Sequence, residues 1–247
     1  PLAVAMPDGV QPRQAAGRRA PRIAILPATC QLDPLVTDQL PSQTAMLGLD
    51  DAALAPVLLS FDDQPHLLVI GDRGSGKTTV LRTLATQLDP KSVVLVDPRD
   101  ALPDLEQIER VTSVAQLRPL ITDLCADLTT RIGRPAAVPD RILIIDDYDL
   151  IATAAPNPLA PLIELLPHSS AIGLHIVIAR RSAGAARAMY EPMLGAVRDN
   201  DAFGLQLSVS VDEGPLLAAG RSRLYPPGRG LLISRTGGEQ LIQVAQT

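Results

Sequence analysis

The segment Gly71-Asp72-Arg73-Gly74-Ser75-Gly76-Lys77-Thr78-Thr79 sets glycines, a lysine and hydroxyls at the spacing G-x-x-x-x-G-K-[ST]. It directly follows the apolar run Leu67-Leu68-Val69-Ile70. Residues of these types in this order suit the cradling of phosphates. The glycines let successive backbone N–H groups curl around one anion, Lys77 brings a positive charge to the β and γ phosphates, and the Thr78 hydroxyl is a ligand for Mg²⁺. An ordinary glycine-rich turn would not need a buried strand before it and a helix after it. This loop is followed by the helical pattern Val80-Leu81-Arg82-Thr83-Leu84-Ala85-Thr86-Gln87-Leu88. All nine residues from Gly71 to Thr79 are therefore expected to line a nucleotide site that takes ATP with Mg²⁺, with Lys77 as its catalytic cation.

A second apolar run, Arg141-Ile142-Leu143-Ile144-Ile145, ends in two acids. Asp146 at its tip is the expected Walker B carboxylate, sharing the metal with Thr78. Asp147 is the candidate base for the attacking water. It stands where motor-type ATPases of the additional-strand class usually carry Glu, and its shorter side chain leaves its reach open. The other reading of Asp147 is an acid that caps a loop. Arg180 and Arg181 close a third apolar run, as γ-phosphate sensors, as arginines presented to a neighbouring subunit, or as strand-end caps paired with acids.

The elements that must position these groups alternate in the manner of a parallel α/β sheet. Strands are expected over 66–70, 92–96, 142–145, 174–179 and 204–207, and helices over 77–88, 114–132, 158–166 and 183–197. Both acidic and glycine-rich motifs then fall at the carboxyl ends of strands, where such sheets bind ligands. Strands over 22–27 and 56–61 form a β add-on before the core, with a turn at Gly48-Leu49-Asp50-Asp51. A hairpin of 230–234 and 240–244, joined through Thr236-Gly237-Gly238-Glu239, is expected to close the sheet edge. The prolines and the Ala/Gly/Arg-rich stretch of residues 1–21 read as a disordered linker, leaving 22–247 as one nucleotide-binding domain.

Composition narrows the function. A chain of 247 residues with 46% hydrophobic content can bury the core of one large α/β domain. No apolar stretch approaches the ~18 residues of a membrane span, so the domain is expected to be soluble. The chain opens at Pro1, which reads as a piece of a longer polypeptide with room for an anchor outside it. Cys30 and Cys125 stand far apart and without companions, which suggests neither a disulfide framework nor a zinc site and suits a reducing cytosol. A net charge of −5 and 2% aromatic content argue against a nucleic-acid surface. His66 and His175 sit inside strands and read as packing residues, and Tyr148 and Asp149 as structural ones.

With these motifs in place, the chain resembles the FtsK/SpoIIIE-type ATPase modules of EccC, a component of bacterial type VII (ESX) secretion systems. The resemblance covers roughly 22–245. It is carried by Gly48-Leu49-Asp50-Asp51 through Val57, Pro65-His66-Leu67-Leu68-Val69-Ile70-Gly71-Asp72, Val94-Leu95-Val96-Asp97-Pro98-Arg99, Ile145-Asp146-Asp147-Tyr148-Asp149-Leu150 and Gly173-Leu174-His175-Ile176-Val177-Ile178-Ala179-Arg180-Arg181-Ser182. The segments Ala186-Arg187-Ala188-Met189-Tyr190-Glu191-Pro192 and Pro226-Pro227-Gly228-Arg229-Gly230 look most like the third, C-terminal module.

The resemblance implies a RecA/FtsK-like P-loop fold of the additional-strand type, with ATP and Mg²⁺ as cofactors. It implies membership of a membrane-anchored motor on the cytoplasmic side of the inner membrane, in company with the other EccC modules, the ESX membrane complex and a homo-hexameric assembly. It also implies WXG100/Esx-type substrates, whose tails carry a Tyr-x-x-x-Asp/Glu signal, and tight ATP binding with weak hydrolysis. Asp147 in place of Glu, and Ala179 where a polar sensor is common, agree with weak hydrolysis. Pro227-Gly228-Arg229-Gly230 resembles the family segment beside the adenine, or else is a plain turn. The alternative is an FtsK-like double-stranded DNA translocase module, which lacks here a basic C-terminal extension. A small nucleotide kinase would need an arginine-rich lid, and none follows the core.

Overall fold

The fold is that of a computed structural model, which describes residues 25–33, 40–41, 43–134, 139–214, 216–217, 222–235 and 238–247. The expected linker of residues 1–21 lies outside them. Apolar runs too continuous for a one-sided strand become the strands of a parallel block: β4 (His66–Gly71), β5 (Val93–Val96), β7 (Arg141–Ile145), β8 (Leu174–Arg181) and β9 (Ala202–Gln206). All six residues of β4 and seven of the eight in β8 are buried, because helices cover both faces. Short β6 (Glu109–Val111) adds an edge strand that its polar composition hides from sequence reading. The order β9-β4-β8-β7-β5-β6 is parallel throughout.

Alternation along these strands divides the core in two. Leu67, Val69, Ile144 and Val177 face α1 (Lys77–Ala85), through its Val80, Leu81 and Leu84. Leu68, Ile70, Ile145 and Ile176 face α2 (Val114–Arg131), a 3₁₀ segment (Ala160–His168) and α4 (Ser169–Ile172). On that side also lie α3 (Tyr148–Ala152), α5 (Ala185–Ala188) and α6 (Pro192–Asp199). The single helix expected over 183–197 is two, because Pro192 has no N–H to continue a helix and instead opens α6, with Glu191 capping it. Where a helix was expected over 158–166 the chain makes the tighter 3₁₀ turns, with Pro161 near its start and Pro167 within it.

The antiparallel half departs further from expectation. Its order is β3-β2-β11-β10, built from β2 (Thr44–Asp50), β3 (Pro56–Ser60), β10 (Arg229–Ser234) and β11 (Gly238–Gln246), with β1 (Cys30–Gln31) against β11. The β10–β11 hairpin therefore closes no edge. It lies inside the sheet, joining β9 to β2. Residues 25–27 are not a strand, and β2 occupies much of what reads as a turn around Gly48. The strand survives its glycine through a bulge between Met46 and Gly48, where the Gln87 amide both accepts from Met46 N–H and donates to Met46 C=O, each at 2.9 Å. Glycine is required there because β11 comes so close: a Cβ on Gly48 would stand 2.0 Å from the Gln243 carbonyl oxygen. Among the described residues, no helix is long and apolar enough to cross a membrane.

Gly48→Ala is accordingly expected to push β2 away from β11 and to cost about 1–3 kcal/mol of stability, as overpacking against backbone does. Urea denaturation of variant and parent checks this, and equal midpoints would show that β2 can yield.

Candidate functional site

The loop after β4 is held open by backbone contacts from three sides. Asp72 N–H donates to Ser208 C=O at 2.8 Å, Gly228 N–H to Ser75 C=O at 2.8 Å and Ser182 N–H to Gly71 C=O at 3.2 Å. Gly76 adopts φ 108°, where a side chain would be strained and its Cβ would stand 2.9 Å from Gly228 N. Helix α1 begins at the next residue without a side-chain cap, so its first N–H groups and their partial positive charge are left for the loop's concavity. Among the described residues, the buried Ser75 hydroxyl has no hydrogen-bond partner.

Lys77 is buried, and its ammonium donates to the carbonyls of Gly71 at 3.0 Å and Asp72 at 2.9 Å. Burial lowers its pKa from the usual lysine range, against the opposing pull of Asp146, Asp147 and Asp149. Asp72 also accepts from the Ser182 hydroxyl, Gly74 and Arg73 face solvent, and Thr79 is half-buried behind the loop.

The apolar tip of β7 delivers Asp146, 2% exposed, to this loop. One carboxylate oxygen accepts from Thr78 Oγ1 at 2.8 Å and the other from Asp147 N–H at 2.8 Å. Burial raises the Asp146 pKa, while the Thr78 hydrogen bond works in the other direction. A hydroxyl and a carboxylate in contact form an oxygen donor pair suited to Mg²⁺, which takes one or two protein ligands and completes its shell with waters and phosphates. The donor set, the neighbouring ammonium and the open helix N-terminus thus fit a metal–nucleotide complex.

Asp147 turns the chain with φ 43° and ψ 48°. Its Oδ2 lies 2.7 Å from Arg99 Nε and its Oδ1 3.9 Å from Arg181 Nε. The two tandem arginines part company. Arg180 is buried and satisfied by Asp149 at 2.9 Å and by the carbonyls of Arg181 and Ala183, whereas the Arg181 side chain is half-exposed. Tyr148 is buried behind them, donating to Glu191 Oε2 at 2.7 Å and accepting from Asn157 Nδ2 at 2.9 Å.

Motif reading had not singled out Arg99 and Ser182 as site residues. Each follows a buried strand adjacent to a motif-bearing one, which is the available signal. His66 and His175 lie at the opposite ends of β4 and β8 from this site. Burial drives the His66 pKa down to about 3, so it packs as a neutral ring.

Because Asp146 has a higher pKa folded than unfolded, its ionisation opposes folding. The penalty is absent below the unfolded carboxyl's range and grows as pH rises through the folded value. Asp146→Asn retains an acceptor for Asp147 N–H and a donor for Thr78. The nucleotide-free variant is expected to be more stable than the parent at neutral pH, with the advantage shrinking as acid protonates the parent. Thermal melts between about pH 4 and about pH 8 test this, and a pH-independent difference would contradict it.

Comparison with known proteins bears on the whole chain. Residues 61–181, from before the loop to the end of β8, match the family model described as an AAA domain. The ESX-4 secretion system protein EccC4 of Mycobacterium tuberculosis is 39% identical over 99% of this chain and 22% of its own length. The cytoplasmic domain of the type VII secretion ATPase EccC from Thermomonospora curvata superposes with a TM-score of 0.83 at 31% identity, over 94% of this chain and 30% of that one. A second structure from that organism, EccC ATPases 2 and 3 in complex with a signal sequence peptide, gives 0.82 at 31% identity, over 94% and 46%. The chain spans about a fifth of the length of EccC4 and of the EccC protein of Thermomonospora curvata. With a P-loop, an acid-tipped strand and an antiparallel flank in one sheet, and with this likeness along nearly its full length, the chain belongs to the EccC family of type VII secretion ATPases, as one P-loop module.

Proposed function

We propose that this module binds ATP with Mg²⁺ and serves an ESX secretion motor by recognising WXG100-type substrates and supporting their export, with weak hydrolysis of its own. The observation that carries the nucleotide half is the convergence of Lys77, Thr78 and Asp146 at the open N-terminus of α1. In this reading residues 71–79 wrap the phosphates, Lys77 leaves the loop carbonyls for the β and γ oxygens, and Thr78 and Asp146 hold the metal. Asp147 orients the water, and Arg181, whose side chain is the more exposed of the pair, is available to a γ-phosphate or to a neighbouring subunit. Arg180 serves instead by fixing the strand end to Asp149. The module would act within 22–247 as one domain of a hexameric assembly, together with other EccC modules and the ESX membrane complex, on the cytoplasmic face of the inner membrane.

The substrate half is supported by the relative solved with a signal sequence peptide. A groove of about 600 Å³ between edge strand β6 and α2 offers a seat for such a tail. Its floor is apolar, from Val94, Val111, Leu124 and Leu143, and Glu109 and Asp123 stand at its polar rim.

ATP-Mg²⁺ at about 100 times its dissociation constant should stabilise the folded chain by ~2.7 kcal/mol. Lys77→Ala is expected to erase that gain in a thermal melt; an unchanged shift would sink the nucleotide assignment. For the substrate half, a fluorescently labelled WXG100 tail should bind saturably in an anisotropy titration. Binding should be lost with the tail's Tyr→Ala control and with Leu120→Glu on the groove wall. Equal binding of tail and control would remove the recognition role.

A further inference from the structure

Asp147 is held between two arginines that arrive from opposite sides of its strand. The strand order sets β8 between β7 and β4, the strand that feeds the phosphate loop, and puts β5 on the far side of β7. Arg181 ends β8 and so stands on the loop's side, whereas Arg99 follows β5 and stands on the other. The carboxylate lies 2.7 Å from Arg99 and 3.9 Å from Arg181, so it is engaged on the side away from the loop. Its backbone cannot easily follow a different choice: Asp147 is in the left-handed region, and its N–H is tied to Asp146 Oδ1. Only side-chain rotation can move the carboxylate. The Arg99 side chain is 47% exposed, which makes this ion pair weak enough to release.

We propose that Arg99 is a positioning residue that draws the Asp147 carboxylate away from the phosphate side and thereby keeps ATP hydrolysis slow. The proposal rests on the reading of residues 71–79 as the ATP loop and of Asp147 as the water-orienting acid. In that reaction the water oxygen bonds to the γ phosphorus while the bond from that phosphorus to the β–γ bridging oxygen breaks. ADP leaves with the bridging oxygen and its electron pair, and the water's proton passes through Asp147 to the departing inorganic phosphate. Held by Arg99 through Oδ2, the carboxylate is drawn off the position from which its oxygens would accept from that water.

The test is steady-state phosphate release by the 247-residue chain and its Arg99→Ala, Arg99→Lys and Arg99→Ala/Asp147→Ala variants, with fluorescent-nucleotide binding measured on each. Arg99→Ala is expected to raise kcat about fivefold, the scale of a partly exposed ion pair, at unchanged KM. Arg99→Lys should retain the parent's low rate, and the double variant should lose the gain. An unchanged or lower kcat in Arg99→Ala with nucleotide binding intact would overturn the proposal, as would a gain that survives in the double variant. A parent that binds no nucleotide, or a Lys77→Ala variant that binds as tightly as the parent, would overturn the nucleotide reading, and this proposal with it.

Discussion

A carboxylate taken almost wholly out of water has to be compensated, and Asp146 at the tip of β7 is compensated by the Thr78 hydroxyl and the Asp147 N–H, each at 2.8 Å. This arrangement ties the glycine-rich loop to a strand that is not its sheet neighbour, since β8 runs between β4 and β7. The compensation is incomplete: burial still holds the Asp146 pKa above the ordinary carboxylate range and the Lys77 pKa below the lysine range. A partner of opposite sign would offset the burial of each group. A divalent cation for the one and phosphate oxygens for the other would supply it.

The remainder of the sheet keeps this loop in place. The hairpin strands β10 and β11 reach it through Gly228, whose N–H donates to Ser75 and whose close approach excludes a side chain at Gly76. Arg229 of the same segment donates to the carbonyls of Leu26 and Pro27 and to Gln243, drawing the N-terminal segment onto the hairpin. On the other side, Gln87, two residues beyond α1, completes the bulged ladder of β2. The antiparallel half is therefore a brace for the phosphate loop, anchored at both the start and the end of the helix that follows it.

Much of the parallel block could be read from the chain because its strands are buried on both faces and show as unbroken runs of Val, Ile and Leu. The runs ending at Ile70, Ile145 and Ala179 placed the loop, the acids and the arginines together at the carboxyl ends of the strands. Two strands, antiparallel β2 and the parallel edge strand β6, hid for the opposite reason. Gly48 interrupts β2, polar Glu109 and Arg110 make up most of β6, and neither strand carries a pattern that local propensity can recognise. Pro192 was visible to inspection, but its place at the first position of α6 depended on Glu191 capping from outside the helix.

By itself, the sequence determined the chemistry: which residues carry charge, hydroxyl or glycine at the phosphate-loop spacing, and which apolar runs must be buried to present them. Those are local properties, set by residue type and short-range order. The tertiary structure decided the partners. Arg180 and Arg181 are adjacent in the chain, yet one is buried on Asp149 and the other is half-exposed near Asp147. Arg99, 48 residues before Asp147 by their numbering, stands against that acid because β5 and β7 are neighbours in the sheet. Strand order is fixed by how all the apolar faces are covered at once, and no local stretch of sequence contains that information.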